Sequence, residues 1–197
     1  AGVAAILAGA MAFPASAYTA DKEILTKKMQ DALKPGQVTY ARLYDIDKVD
    51  KADLQYVAQD MTAKRGKVFF EFCSLQNKEV VARMVVNPNL VKDGEGSIDP
   101  YIALSGEGVD KVREKFTKHF GKDVAVIGCG TVDFGMTVVL SAKLDFGTMN
   151  TSSLKAYAYD SSANAYTAIK DTDFVVDENG FLHFQTQKAG YIIVTQA

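Results

Sequence analysis

The chain of 197 residues has no tryptophan, two cysteines and two histidines. This composition leaves few ligands for a metal site built from cysteine and histidine. The formal net charge of −2 provides no broad basic surface to neutralise phosphates, so we expect no nucleic-acid partner. A Gly-x-Ser-x-Gly elbow for a nucleophilic serine is also absent from the sequence. The hydrophobic content of 48% and charged content of 23% are those of an ordinary folded globular protein.

The N-terminal segment is uncharged and rich in alanine. Residues 1–17 end in the small-residue sequence Pro14-Ala15-Ser16-Ala17, which is typical of the apolar region and cleavage site of a secretory signal peptide. We therefore expect cleavage after Ala17 and a secreted or cell-surface protein; the alternative is a buried or interfacial helix. No second apolar run of about 18 residues follows, so we expect no membrane span in the mature chain.

Export would change the interpretation of the cysteines, Cys73 and Cys129, which both lie in segments with strand-like patterns. In an oxidising compartment they could form one disulfide, which would stabilise the fold by about 2–4 kcal/mol. The alternative is two buried thiols that behave as small apolar side chains. Both interpretations stay open, because a disulfide requires the two Cα atoms to lie close together.

The segment before residue 66 has mixed signals. Residues 21–33 and 50–65 have the apolar period of helices, and residues 38–44 alternate as in a short strand. Gly66 is a suitable stop for the second helix. We expect residues 18–65 to form an N-terminal helical segment that packs on the domain that follows.

After Gly66 the apolar period changes from that of helices to that of strands. One helix interrupts the strands at 108–120, with its apolar residues on one stripe. The predicted strands lie at 67–75, 79–86, 98–104, 123–128, 134–144, 154–159, 165–169, 173–176, 181–186 and 191–195. Short strands at this spacing predict a mainly β fold, an antiparallel, Ig-like β-sandwich over residues 66–197 with one or two packed helices.

The end of the chain resembles a known type of domain. The segments 154–160, 165–169, 177–186 and 189–194 resemble the C-terminal β-sandwich of uncharacterised secreted or surface proteins of Gram-positive gut anaerobes. They are loosely similar to the strand and turn order of ZU5-like and Ig-like sandwiches. The shared motifs are turns and core strands and include no catalytic residue. The resemblance therefore implies a fold, a secreted or cell-surface location and a role as an interaction or scaffold module.

Tyrosines supply the candidate ligand site. Tyr157 and Tyr159 point to the same side of their predicted strand, and Tyr166 lies on the returning strand. Such a stripe could stack sugars in a polysaccharide-binding module. The alternative is packing on the sheet, with the hydroxyls reaching its rim.

Calcium is the only cofactor that the sequence suggests. Asp93, Glu95 and Asp99 place carboxylates at alternating positions of one loop. The loop departs from the EF-hand pattern, because Ile98 and Leu104 occupy the glycine and glutamate positions. A weaker candidate begins at Asp45. The alternative for both is a solvated acidic loop, and we expect no other cofactor.

The histidines favour structural roles. His119 lies at the end of the predicted helix, where a cation interacts favourably with the helix dipole. The lysines and arginine of the same helix predict either a solvated face or contact with anionic wall polymers. His183 is expected to be a half-buried strand residue.

The function expected from the sequence is therefore a non-enzymatic module that binds a surface protein or polysaccharide. The alternative is a small secreted hydrolase acting on glycans or cell wall. An enzyme should show a concave pocket with convergent polar groups and shifted pKa values. A binding module should show a flat or edge-presented patch.

Overall fold

The computed structural model describes residues 37–42, 49–50, 65–73, 79–86, 97–98, 101–130, 132–170 and 172–197. The predicted signal peptide, the helix predicted at 21–33 and the acidic residues of the calcium loop at Asp93 lie outside these ranges. Of the helix predicted at 50–65 only the two ends are described, and both are wrong: Asp50 belongs to a strand, and Arg65 and Gly66 begin another, so Gly66 does not end a helix. Of the acidic residues in the weaker calcium loop that begins at Asp45, only Asp50 is described. The described strands and helix are β1 (Gln37–Arg42), β2 (Val49–Asp50), β3 (Arg65–Cys73), β4 (Val80–Val86), β5 (Ser97–Ile98), β6 (Ile102–Ala103), α1 (Glu107–Phe120), β7 (Ala125–Cys129), β8 (Val138–Lys143), β9 (Leu154–Asp160), β10 (Ala165–Ile169), β11 (Val175–Val176), β12 (Phe181–Thr186) and β13 (Gly190–Gln196).

The strands form two large sheets and one small one. The six-stranded sheet has the order β1-β3-β4-β8-β12-β11, and the five-stranded sheet has the order β10-β9-β13-β7-β6. A two-stranded sheet pairs β2 with β5. All described pairs are antiparallel except β1 with β3, which is parallel. The prediction of a mainly β, antiparallel sandwich-like fold with a packed helix is confirmed.

The two large sheets share one core, because alternate residues of each strand point inward. In the six-stranded sheet a row of fully buried side chains crosses four strands, and from the five-stranded sheet Ile127 and Ile192 join the same cluster. The row consists of Phe70, Met84, Leu140 and Phe184. Burial of each such side chain contributes about 1.5–3 kcal/mol, so this core holds the sandwich together.

The outer face of the five-stranded sheet is covered by α1. Val109, Val112 and Phe116 form the apolar stripe of the helix and are buried against Val126 and Ile193. The helix ends at Gly121, whose left-handed conformation (φ 66°) lets its N–H donate to the carbonyl of Thr117 at 2.9 Å. Within the described ranges, no helix combines the length and apolar character that crossing a bilayer requires.

Several strand boundaries differ from those predicted from the sequence, and three of the differences concern whole segments. The six-stranded sheet begins before residue 66, because β1 pairs with β3. The strand expected at 98–104 is divided into β5 and β6, which pair with different sheets. The strand expected at 134–144 begins only at Val138, since Gly135 has a φ of 70°, which a strand does not accommodate.

Candidate functional site

The three predicted tyrosines lie together on the hairpin formed by β9 and β10. Tyr166 is opposite Tyr159 and Ala168 is opposite Tyr157, so all three aromatic rings share the sheet face that α1 covers. The turn of the hairpin is fixed by Asp160, whose carboxylate accepts hydrogen bonds from the Ser162 side chain and from two backbone amides. These hydrogen bonds, the Ser162 hydroxyl first, lower the pKa of Asp160.

Tyr157 and Tyr159 are used mainly for packing against the helix. Tyr159 is buried, with its ring edge-on to Phe116 at 4.9 Å between centroids, and Tyr157 stacks on Phe120 at 5.3 Å. Lys115 donates to the Tyr159 hydroxyl at 2.7 Å and lies 4.4 Å from its ring centroid. This arrangement favours the packing interpretation for Tyr157 and Tyr159 over an open sugar-stacking stripe.

Tyr166 is different, because 43% of its surface is exposed. Its ring meets those of Phe116 and His119 edge-on at 5.5 Å each, and its hydroxyl lies 3.0 Å from Nε2 of His119. The ring is therefore held in one position while it still presents apolar surface to solvent.

The strand that carries Tyr166 is the outermost strand of its sheet. The first four of the five β10 residues are exposed, and the pairing with β9 is continuous, without a bulge. The strand has the sequence Ala165-Tyr166-Thr167-Ala168-Ile169 and contains neither proline nor a charged residue. Natural edge strands are usually blunted by charges, prolines, bulges or a covering element. This strand, named here the β10 edge, has no charge, proline or bulge. Among the strands that the structure describes, none pairs with its outer side, and four of its five side chains are exposed.

The cations of α1 are mostly paired within the helix. Three ion pairs of 2.5–2.7 Å link acidic and basic residues one turn apart on its exposed face: Lys111 with Glu107, Arg113 with Asp110, and Lys118 with Glu114. The Lys118 partner lowers the pKa of the Glu114 carboxyl. Because the charges largely compensate each other, this face fits a solvated surface better than a site for anionic polymers.

A buried hydrogen-bond network connects Ser141, His183 and Asp177. The hydroxyl of Ser141 lies 2.7 Å from Nδ1 of His183, and Nε2 of the same ring lies 2.9 Å from the Asp177 carboxylate. Burial lowers the pKa of His183 to about 4, so the ring is neutral at neutral pH. The carboxylate can only accept, so Nε2–H donates to it and Nδ1 accepts from the serine.

The sequence does not reveal this network, because it predicts a half-buried His183 and assigns it no partner. Ser141 and His183 are separated by 42 residues and meet only because β8 pairs with β12. The residue types are those of a nucleophilic triad. However, Ser141 and His183 have no exposed surface, and the Asp177 side chain is 4% exposed. The network is closed to a substrate in this structure, and its hydrogen bonds join β8 to β12.

In the part of the chain that the structure describes, α1 lines two cavities. The larger has a volume of about 620 Å³ and lies between the first turn of α1, the hairpin turn at Asp160 and the start of β13. The smaller, about 410 Å³, lies near the other end of the helix and includes Asp123. The hydroxyl and amide of Thr148 both donate to Asp123 and lower the pKa of its carboxyl.

The remaining predicted site residues are not brought into a described site. Asp93, Glu95 and Asp99 lie outside the described ranges, so the calcium loop stays a prediction. Cys129 is buried on β7, whereas the side chain of Cys73 is not described, so the disulfide also stays a prediction. Among the residues that the structure describes, no three His, Cys, Asp or Glu side chains are grouped to hold a metal ion.

No protein-family model, curated protein or solved structure matches this chain. The functional conclusion therefore depends on the physical properties of the β10 edge, the buried network and the cavities.

Proposed function

We propose that this protein is an exported, non-enzymatic module that binds an extended segment of a protein partner along the β10 edge. The predicted signal peptide over residues 1–17 supports export to the cell surface or the medium. The observation that carries the binding role is the exposed, uncharged and regular strand Ala165–Ile169 at the edge of the five-stranded sheet.

The main chain of β10 would provide most of the affinity. On an outermost strand, alternate N–H and C=O groups point away from the neighbouring strand and are available to another strand. A partner segment in extended conformation would pair with these groups and extend the sheet beyond its five described strands. This is strand addition, a common mode of peptide recognition.

The aromatic residues beside the edge would provide selectivity. Side chains of a partner strand alternate between the two sheet faces. Those on the helix-covered face would lie beside the exposed ring of Tyr166 and the methyl group of Ala168, which share that face. Because Phe116 and His119 already hold the Tyr166 ring, little conformational entropy would be lost there on binding.

The hydrolase alternative has weaker support. The only described network with the residue types of a triad is closed to solvent. The lowered pKa values of surface carboxylates have local causes, such as the Thr148 hydrogen bonds to Asp123 and the Ser162 hydrogen bonds to Asp160. Neither carboxylate therefore has the raised pKa that a general acid needs at neutral pH. An edge-presented patch is the feature expected of a binding module.

Selection of a displayed library of random peptides against the protein tests the proposal. Thr167→Lys puts a charge on the β10 edge, and Thr151→Lys makes the same change at an exposed site outside the hairpin. Peptides selected on the unmodified protein should bind the Thr151→Lys variant equally well. They should bind the Thr167→Lys variant at least about tenfold more weakly, a loss of about 1.4 kcal/mol. Equal binding to both variants, or no enriched peptide, would contradict the proposal.

A further inference from the structure

The floor of the larger cavity is formed by the ring of Tyr191, which fits there because two neighbouring residues are glycines without a Cβ atom. A Cβ atom on Gly108 would lie 2.5 Å from the Tyr191 hydroxyl, and one on Gly128 would lie 3.6 Å from Cε1 of the same ring. The tyrosine therefore rests against bare backbone of the helix and of β7. Tyr159 lies beside it, with the two ring planes tilted by 37° and the centroids 6.4 Å apart. We name this cavity the α1 groove.

A second aromatic residue stands at the rim of the α1 groove. Tyr101 is 53% exposed and lines the same cavity as Tyr191. Its ring meets Phe72 edge-on at 5.9 Å, so its apolar surface is oriented by packing rather than left to rotate in solvent. The groove thus combines an aromatic floor with an aromatic rim.

The polar groups of the α1 groove are acidic or neutral. Glu107, Asp133 and Asp160 contribute carboxylates, and Ser161 and Ser162 contribute hydroxyls. Among the described residues that line it, none is a lysine, an arginine or a histidine. Lysines next to the groove already pair with two of these carboxylates, Lys188 with Asp133 at 2.7 Å and Lys111 with Glu107 at 2.5 Å. Because the lining itself supplies no cation for an anionic ligand, such as a phosphate-bearing or uronic-acid polymer, a neutral ligand is favoured.

We propose that the α1 groove binds a short stretch of a neutral saccharide. The C–H faces of a sugar ring stack on aromatic planes. Its hydroxyls can donate to the carboxylates and accept from the Ser161 hydroxyl, since the Ser162 hydroxyl already donates to Asp160 at 2.6 Å. The volume of about 620 Å³ lies within the range of about 300–1,000 Å³ that is usual for small-ligand sites. No residue of β10 lines the groove. The groove replaces the predicted stripe of Tyr157, Tyr159 and Tyr166 as the place for a sugar and keeps one of its members, Tyr159.

Titration with neutral oligosaccharides tests this inference. The probes are cello-, xylo-, malto-, manno- and N-acetylchito-oligosaccharides, with oligogalacturonate as the charged control. We expect at least one neutral series to shift the backbone amide resonances of residues that line the groove, such as Gly108, Gly128 and Gly190, in nuclear magnetic resonance spectra. Oligogalacturonate should leave them unchanged. No shift with any neutral series at millimolar concentration would overturn the inference.

Two exposed tyrosines provide matched variants. Tyr101→Ala should weaken binding of the active series about fivefold, which corresponds to the loss of one stacking contact of about 1 kcal/mol. Tyr166→Ala should leave it unchanged, and circular dichroism should show both variants folded. The reverse pattern, or equal binding by all three proteins, would overturn the groove as the site. The Thr167→Lys variant should bind the sugar normally, so failure here is distinguishable from failure of the β10 edge proposal.

Discussion

The imidazole of His183 donates from Nε2 to the carboxylate of Asp177 across 2.9 Å, and both side chains are almost completely closed to solvent. The other oxygen of Asp177 accepts from the backbone amides of Asn179 and Phe181 at 2.9 and 3.0 Å. One carboxylate thus ties the tight turn at Gly180 to the strand that follows it. Through Ser141 the same network reaches β8. The six-stranded sheet is therefore joined by buried side chains as well as by its backbone ladder.

The neutral state of His183 predicts a pH dependence of stability. Its pKa is about 4 in the folded chain against an ordinary value of 6.5, so on acidification the unfolded chain takes up the proton first. The contribution of the neutral imidazole to the free energy of unfolding is fully present above pH 6.5 and is lost as the pH falls towards about 4. The total loss is about 3 kcal/mol.

Urea unfolding between pH 7 and pH 4 checks this dependence. The difference in unfolding free energy between the unmodified protein and His183→Gln should narrow as the pH falls, because only the former loses the histidine contribution. The control variant Thr151→Ala, which changes no titratable group at an exposed position, should keep the slope of the unmodified protein. A constant difference for His183→Gln would show that burial does not hold the ring neutral.

Ser141→Ala should lower the free energy of unfolding by about 1–3 kcal/mol, because it removes the hydroxyl that donates to the buried Nδ1 of His183. Ser162→Ala provides the comparison, since that hydroxyl bonds Asp160 in an exposed turn, and should cost less than about 0.5 kcal/mol. Thermal and urea denaturation of both variants measure the two values. Equal losses of unfolding free energy for the two variants would mean that the buried Ser141 hydrogen bond stabilises the fold no more than the exposed Ser162 hydrogen bond does.

Two glycines with positive φ allow the loss of stability from a steric clash to be compared with the loss from backbone strain alone. Gly180 (φ 81°) has open space where a Cβ would be, whereas a Cβ on Gly190 (φ 90°) would lie 2.7 Å from the carbonyl oxygen of Tyr159. Gly180→Ala should therefore lower the free energy of unfolding by only about 1–2 kcal/mol, the energy of placing a non-glycine residue in the left-handed conformation. Gly190→Ala should cost more, because β13 must shift against β9. The same melting temperature for both variants in calorimetry would contradict the close approach of Gly190 on β13 to Tyr159 on β9.

The contact between α1 and the sheet depends on Phe116, which is 1% exposed and touches several aromatic rings. Phe116→Ala should lower the unfolding free energy by about 3–5 kcal/mol, as expected for a large cavity in a packed cluster. Tyr166→Ala, which truncates a half-exposed neighbour, should cost much less. Chemical denaturation measures the free energy of unfolding of both variants. Comparable losses for Phe116→Ala and Tyr166→Ala would argue against α1 covering the outer face of the five-stranded sheet.

Local sequence patterns predicted the elements but not the long-range partners. The helix at 108–120 and the turn at Asn179-Gly180 follow from apolar spacing and from the conformational freedom of glycine, which act within a few residues. The Ser141–His183 contact requires the order of strands in the sheet. The α1 groove likewise collects residues from β7, β13, α1 and a hairpin turn. These arrangements depend on packing between distant segments, which spacing along the chain does not encode.

Amide hydrogen exchange at β10 tests the central claim most directly, because it reports whether the outer N–H groups of this strand are available for pairing. In the protein alone, the amides of β10 that point away from β9 should exchange rapidly, and a selected peptide at saturating concentration should protect them. The amides of β12, in the other sheet, should not change. Protection of the outward β10 amides before any peptide is added, or unchanged exchange after peptide binding, would contradict strand addition at this edge.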